Sequence, residues 1–416
     1  MTRLDKASER DISTVERAKI GIIGAGPAGM MAALQAAQFG GRVLLFDGNK
    51  TAGRKLMVTG NGRCNISNSR IDPRMYACAD PAFMPRLLAR FGHRDLVDFL
   101  AGIAVPVFAM PDGWCYPRSE SAAAVVEAFA VALQVAGVEL HFAEKVRDFN
   151  RGAGGWRIVT AEEYHVDRLI IAAGGEAQPN LGSRGELFPL LRSLGHRVLP
   201  SRPALAPITA DMRRLHKLQG VRMDLGLELW QDDNRLGQST GNAIFSQWGL
   251  NGPAAMDISH LVSGHPDEGL TLEINFIAGA EEAMAELLRR FSGTEWPVAV
   301  VLGGLLPPKV ARFIVQSAAL AAESALRSLG ERDLTGIWQS MTGTRIRVEG
   351  TRGFEFAQVS AGGVPVNEVE PESMASRKAE ALFLAGEVLD VVGPCGGYNL
   401  QFAFSTGALA GRAAAG

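Results

Sequence analysis

Gly24, Gly26 and Gly29 stand in the run Gly24-Ala25-Gly26-Pro27-Ala28-Gly29, after a short apolar stretch and before one rich in Ala, Met and Leu. That spacing suits a turn that delivers a phosphate onto the first turn of a helix. Gly24 makes the tight turn, Gly26 lets backbone N–H groups approach a pyrophosphate, and Gly29 lets helix and strand pack closely. The helix start adds partial positive charge. Asp47, at the end of the next strand-like run, is spaced to accept a ribose hydroxyl. A glycine-rich turn between core elements is the plainer reading, but the strand–turn–helix–strand context favours nucleotide binding.

A second cluster places Arg54, Lys55 and Arg63 among Gly60 and Gly62, followed by Cys64 and Asn65. Cations set among glycines suit an anion better than a solvated face, because loops carry sites and concentrated charge draws counter-ions. Cys64, Cys78, Cys115 and Cys395 lie too far apart for a C-x-x-C pair. That spacing argues against a zinc ribbon, a disulfide framework and a dithiol centre, and it suits a reducing cytoplasm. Cys64, Cys395 and Arg63 are the candidates for catalysis, weighed against the commoner fate of a thiol as an inert buried group. His93, His196 and His216 are scattered without partners and read as structural. Trp114 and Tyr116 either line a cleft or cap a core edge. No H-E-x-x-H, G-x-S-x-G or carboxylate cluster is present, so metal-hydrolase and serine-hydrolase chemistry is not expected, nor is a metal.

The elements that must position these residues follow from periodicity. A strand over 19–24, a helix over 27–39 and a strand over 42–47 make a βαβ unit. A helix over 121–136 and strands over 138–142, 156–160 and 169–173 continue it. Val221, Met223, Leu225, Leu227 and Leu229 then alternate with polar residues or glycine, the period of a half-buried antiparallel strand, and residues 270–276 repeat the device. Helices are expected over 280–291 and 309–329, strands over 345–348 and 381–385, and a small-residue helix over 398–415. The fold class is therefore α/β: a Rossmann-like, doubly wound, mostly parallel domain interrupted by an insert of a small antiparallel barrel and a helical bundle. The boundaries are a loose extension over 1–18, a nucleotide-binding part over 19–195, an insert over 196–358 and a second nucleotide-binding part over 359–416. Within the insert, the barrel covers about 196–278 and 343–358, and the helices about 279–342.

At 416 residues, with 47% apolar and 21% charged residues and a net charge near -2, the chain has an ordinary globular composition. It resembles neither a disordered nor a nucleic-acid-coating protein. No stretch is apolar for long enough to cross a bilayer, and the first nineteen residues lack the apolar centre of a secretory signal. A polyanionic partner would have to meet a local patch, such as Arg192, Arg197 and Arg202 or Arg213, Arg214 and Lys217.

The segments GRKLMVTGNGRCNISN at 53–68 and AGEVLDVVGPCGGYNLQFAFSTG at 385–407 resemble those of the HI0933-like (BaiN/YhiN-like) flavoproteins, which are NAD(P)/FAD-dependent oxidoreductases. LIIAAGG at 169–175, GNAIFSQWGLNGPA at 241–254 and VSAGGV at 359–364 extend the resemblance along the chain. It implies a noncovalently held FAD, with NAD(P)H as a transient electron donor. On this resemblance Gly24, Ala25, Gly26, Pro27, Ala28, Gly29 and Asp47 hold the adenosine and pyrophosphate half. Arg54, Lys55, Gly60, Gly62, Arg63, Cys64 and Asn65 run along the flavin half. Val146, in a strand-like piece before Asp148, contacts the adenine, and Ala172, Ala173 and Gly174 pass over the nucleotide. Gly386 and Glu387 correspond to a Gly-Asp pair that holds the ribityl chain in many FAD folds, with Glu as a departure. Gly397, Tyr398, Asn399 and Leu400 open the last helix beside the flavin. Two substrates follow from the resemblance, a small cyclic enone and a uridine of ribosomal RNA. A non-catalytic flavin module whose insert recognises a partner is the rival class. Oligomeric state does not follow from the residues.

Overall fold

The computed structural model describes residues 17–152, 154–266 and 269–416, so most of the expected N-terminal extension lies outside the described residues. The chain opens with β1 (Lys19–Ile23), α1 (Pro27–Gln38) and β2 (Arg42–Asp47), then reaches α2 (Ala122–Val135), β3 (Glu139–Phe142) and β4 (Arg168–Ile171). Next come β5 (Leu199–Ala204), β6 (Ile208–Ala210), β7 (Arg222–Gln231), β8 (Asn234–Ser246), β9 (Gly249–Asn251), α3 (Pro253–Gly264) and β10 (Leu270–Asn275). The chain returns through β11 (Thr344–Thr351), β12 (Val359–Gly363), β13 (Leu382–Leu384) and α4 (Tyr398–Ala415).

The main sheet has the order β13–β4–β1–β2–β3. Every pair in it is parallel, with Ile22 opposite both Leu45 and Ile170, and Ile170 opposite Phe383. Strands covered on both faces have to be apolar along their length. KIGII and RVLLFD meet that demand, buried at all but their end residues. The last strand of the sheet therefore lies two places from the first. Helix α4 packs on α1. A Cβ on Gly407 would fall onto the carbonyl oxygen of Ala28, and one on Gly411 onto that of Ala32, so only hydrogen at these two positions lets the helices come this close.

Strands β6–β9–β8–β7–β10–β11 form a closed antiparallel barrel. Helix α3 packs on it and buries Ala254, Ala255, Met256, Ile258 and Val262. Strands β5 and β12 pair antiparallel, Arg202 opposite Ala361, in the two connections between sheet and barrel. The two large apolar clusters lie around the parallel sheet and from the barrel interior into helices Glu281–Phe291, Pro308–Ser317 and Glu331–Thr342. The fold class is the α/β Rossmann-like architecture read from the pattern, with its antiparallel barrel.

Two local expectations fail. The helix expected over 309–329 stops at Ser317, and Ala319 takes a left-handed φ of 60°. The Ala-rich residues after it have good helix propensity but give their backbone to another segment. Val298 N bonds Ser324 O at 2.9 Å, and Leu326 N bonds Trp296 O at 3.0 Å. Tertiary pairing overrides propensity here. Val146 lies in the connection just before the strand Asp148–Gly152, not in a strand. Helices Phe83–Arg90, His93–Gly102 and α3 have no counterpart in the pattern reading.

Candidate functional site

A cleft of about 960 Å³ runs from the C-terminal ends of β1 and β2, past the start of α4, to the barrel. Its size lies at the upper end of the ~300–1,000 Å³ typical of small-molecule and cofactor sites. Of the residues expected at the site, Gly24 to Ala28, Asp47, Arg54, Lys55, Gly60, Asn65, Val146 and Ala172 to Gly174 line it, as do Gly386, Glu387, Cys395, Gly397, Asn399 and Leu400. Gly29, Gly62, Arg63, Cys64 and Tyr398 do not line it.

At the nucleotide end, Gly24 has φ 104° and no room for a side chain, since a Cβ would meet the Ala172 carbonyl. Gly29 is excluded from bearing one by the Gly24 carbonyl. Gly26 differs: nothing lies within 4 Å of a Cβ built there, and its hydrogen faces the cleft. Asp47 accepts from Ala25 N at 2.8 Å, Asn49 N at 2.8 Å and Asn49 Nδ2 at 2.9 Å. An ionised carboxylate has about four acceptor sites, so these bonds leave capacity for a ribose hydroxyl. Arg54 donates to Asn49 Oδ1 at 2.6 Å and so is tied to the same corner.

Halfway along, the extra methylene of Glu387 finds a use. Its carboxylate takes Lys55 Nζ at 2.5 Å, Ser360 N at 2.8 Å and Ser360 Oγ at 3.1 Å. Ser360 Oγ in turn accepts from Glu176 N at 2.7 Å and Ala177 N at 2.9 Å. One carboxylate thus fastens four cleft walls that are remote in sequence. Beside it Gln178, left-handed at φ 53°, carries a buried side-chain oxygen with no protein partner. Open space above Gly26 and this orphaned acceptor are what a bound dinucleotide would fill, so the residues present fit FAD. Pyrophosphate would rest on the Gly24 to Gly29 turn and the ribityl chain near Glu387 and Gly386.

At the barrel end the turn Gly393 to Gly397 leads into α4. Asn399 clamps it from within, accepting from Gly393 N at 2.9 Å and donating to Gly393 O at 2.7 Å. Gly397, at φ 92°, starts the helix so close to Ser67 that a Cβ would strike the Ser67 carbonyl. Tyr398 points away; its hydroxyl bonds Asp72 N at 3.3 Å and Arg70 O at 3.4 Å. Cys395 lines the cleft, and its N–H donates to Asp257 Oδ1 of α3 at 2.7 Å.

The structure gives Arg63 and Cys64 other work. Arg63 pairs with Glu120 at 2.7 Å and stacks over Tyr116 at 4.5 Å. Cys64 is fully buried, and burial pushes its thiol up to about 12 against a hydrogen bond from Thr59 that lowers it. In the folded chain it stays protonated where an exposed thiol at 9.0 would ionise, so the unfolded chain binds fewer protons above that pH. Stability falls as pH rises from about 9 toward 12, and Cys64→Ala should flatten that limb in urea titrations. An unchanged alkaline limb would show that the thiol is not held in this way. His196 is structural, bonding Glu368 Oε2 and Ser376 Oγ at 2.8 Å each and so stapling the two halves of the sheet domain. His93 bonds Ser67 Oγ at 2.9 Å, and His216 bonds Arg213 O at 2.8 Å.

Sequence reasoning missed Gln178, Ser360, Asp257 and Arg222, all at or beside the cleft. Only the quoted VSAGGV segment, which contains Ser360, offered a signal for any of them. Among the described residues no His/Cys/Asp/Glu group could hold a metal, and no helix is long and apolar enough to cross a membrane.

Over residues 18–413 the sequence matches the family described as HI0933-like protein Rossmann domain. A 3-dehydro-bile acid delta(4,6)-reductase of Clostridium scindens is 33% identical over 405 residues, 95% of this chain and 99% of that one. A ribosomal RNA dihydrouridine synthase of Escherichia coli is 30% identical over 396 residues, 94% of this chain and 96% of that one. Among solved structures, a 3-ketosteroid-delta4-(5alpha)-dehydrogenase from Rhodococcus jostii is 16% identical with a TM-score of 0.51, covering 98% of this chain and 99% of that one. That last likeness is one of fold alone. With the matching segments meeting around a single cleft, the chain belongs to the HI0933-like family of FAD-dependent oxidoreductases.

Proposed function

We propose that the chain holds FAD noncovalently along the cleft and reduces a ring C=C bond conjugated to a carbonyl. The observation that carries this reading is the continuity of the cleft from the phosphate turn at Gly26 to the junction of α4 and the barrel. Reduced FAD, when bound, supplies a hydride. The chain's own residues do the rest. The Gly24 to Gly29 turn and Asp47 anchor the nucleotide, the Lys55–Glu387–Ser360 network fixes the distance between walls, and the start of α4 offers positive potential to the flavin edge. Among the described residues a single strand–Gly-rich turn–helix of the dinucleotide kind is found, so NAD(P)H would visit the cleft only transiently.

The substrate reading we favour is a uridine of ribosomal RNA. Arg222 and Phe356 line the barrel side of the cleft. Arg352 lies between Trp248 and Phe356, 4.7 and 3.6 Å from their ring centres. Cations interleaved with aromatic rings suit phosphates beside a splayed base. A small cyclic enone is the second reading, favoured by the 33% identical relative, which is named as a bile acid reductase.

The test is to purify the protein, follow bleaching of its flavin by NADH and NADPH, and offer it ribosomal RNA from cells lacking the gene. Dihydrouridine in the nucleoside digest is the expected product. Turnover of a steroid enone alone would move the assignment to the second reading. A yellow protein that turns over with neither acceptor would be a flavin-binding module and not a reductase.

A further inference from the structure

Adding hydride to one carbon of a conjugated C=C leaves an enolate, and the reaction is complete only when the other carbon receives a proton. The cleft's titratable side chains are unevenly placed. Asp47 and Arg54 belong to the nucleotide corner, and Lys55 is spent on Glu387. Lys145 pairs with Glu186 at 2.6 Å, remote from the barrel. Where α4 meets the barrel, among the described residues, Arg222 and Cys395 remain; Arg222 is bonded to Asn242 Oδ1 at 2.5 Å, and a guanidinium is not a general acid.

We propose that Cys395 is the proton donor of the reaction, with Asp257 as its positioning residue. This rests on the reading of the chain as a C=C reductase. Two different parts of the fold make the pair: Cys395 belongs to the turn before α4, and Asp257 to α3 on the barrel. Asp257 takes the Cys395 N–H at 2.7 Å and its carboxylate lies beside the thiol, so one carboxylate fixes the turn that carries the S–H group. Burial keeps the thiol well above its ordinary value, with the neighbouring Asp257 adding to the effect. Burial also raises Asp257 itself, against the bonds from Cys395. The thiol therefore carries its proton at neutral pH, and although burial makes it a weaker acid, the enolate carbon it meets is far more basic than a thiolate. The other charged and titratable groups around the pair are His260, whose Nδ1 lies 3.0 Å from Asp257 O, and beyond it Arg202 and Asp390.

The step balances. Reduced FAD, when bound, would supply the hydride that forms a C–H bond at the carbon β to the carbonyl, while the C=C electron pair would move onto the carbonyl as an enolate. As that charge builds, in the same step, the Cys395 S–H bond breaks, its proton forms a C–H bond at the α carbon, and the carbonyl is restored. The thiolate regains a proton from solvent by way of Asp257.

Dithionite-reduced holoenzyme, mixed without oxygen with ribosomal RNA from cells lacking the gene or with a steroid enone, reports this step as reoxidation of the flavin. Cys395→Ala should slow it about 100-fold or more, within the range for loss of a general acid. Cys395→Ser, which keeps the shape of the turn, should recover part of the rate. In heavy water the wild type should place deuterium on one face of the α carbon, and Cys395→Ala on both. Flavin absorbance of each variant shows whether it folds. On cofactor-free protein, Asp257→Asn should raise the rate of Cys395 alkylation by iodoacetamide at pH 8 at least tenfold. Wild-type rates in Cys395→Ala, or alkylation unaffected by Asp257→Asn, overturn the proposal alone. A wild type that reduces neither acceptor overturns the reductase reading, and this step with it.

Discussion

Gly26→Ala should fold and bind FAD about 100-fold more weakly, whereas Gly29→Ala should lose about 3 kcal/mol or more of stability. The two positions lie in one motif and differ in what surrounds them. A Cβ at Gly29 lands on the Gly24 carbonyl, which the turn cannot move because Gly24 N is bonded to Phe46 O at 2.8 Å. Overpacking against fixed backbone sits at or beyond the upper end of the usual range, about 3 kcal/mol or more. A Cβ at Gly26 meets nothing within 4 Å, and its φ of -77° is open to alanine. Gly26 caps α1, and exchanging a capping glycine for alanine costs about 1 kcal/mol at most. The new methyl nevertheless occupies space assigned to the pyrophosphate. FAD affinity should fall about 100-fold, ~2.7 kcal/mol. Urea melts of the apoproteins separate the variants on stability, and fluorescence titration with FAD separates them on binding. Wild-type affinity in Gly26→Ala would mean that the phosphates lie elsewhere in the cleft.

That contrast also shows what a sequence can and cannot disclose. The βαβ unit and its Gly-rich turn were legible because local sterics fix them. Glycines at these spacings, after an apolar strand and before a helix, have few alternative uses. The last helix was legible as a helix, but its docking on α1 was not. Gly407 and Gly411 declare a close approach only once Ala28 and Ala32 are known to lie opposite. Arg63 shows where such reasoning needs the fold: it does not line the cleft. A cation among glycines does suggest an anion, but the anion is Glu120, on the loop before α2. Residues 318–329 were misread because propensity is local, while the backbone partners at 296–299 are not. Asp257 left no trace at all. A carboxylate in an amphipathic helix is unremarkable until the fold sets it against Cys395, 138 residues away.

Removing Glu387 should loosen the cleft, because its carboxylate joins the Lys55 and Ser360 segments, which are remote in sequence. The pair with Lys55 is only partly wet, the side chains keeping 28% and 17% of their exposure. A fully buried pair that loses one partner destabilises by about 3–5 kcal/mol and an exposed one by less than about 1. Glu387→Ala should therefore lower stability by about 2–3 kcal/mol, and added salt should change that little, since screening is weak away from solvent. Glu387→Asp is the sharper probe. Shortened by one methylene, the carboxylate cannot reach Lys55 and keep both bonds to Ser360, so it should recover only part of the loss. A double-mutant cycle with Lys55→Ala isolates the ion pair, and groups in one network typically couple by about 0.5–3 kcal/mol. Strict additivity in that cycle would mean that the two side chains touch without holding each other. The hold of this network would then rest on Ser360, through its bonds to Glu387, Glu176 and Ala177.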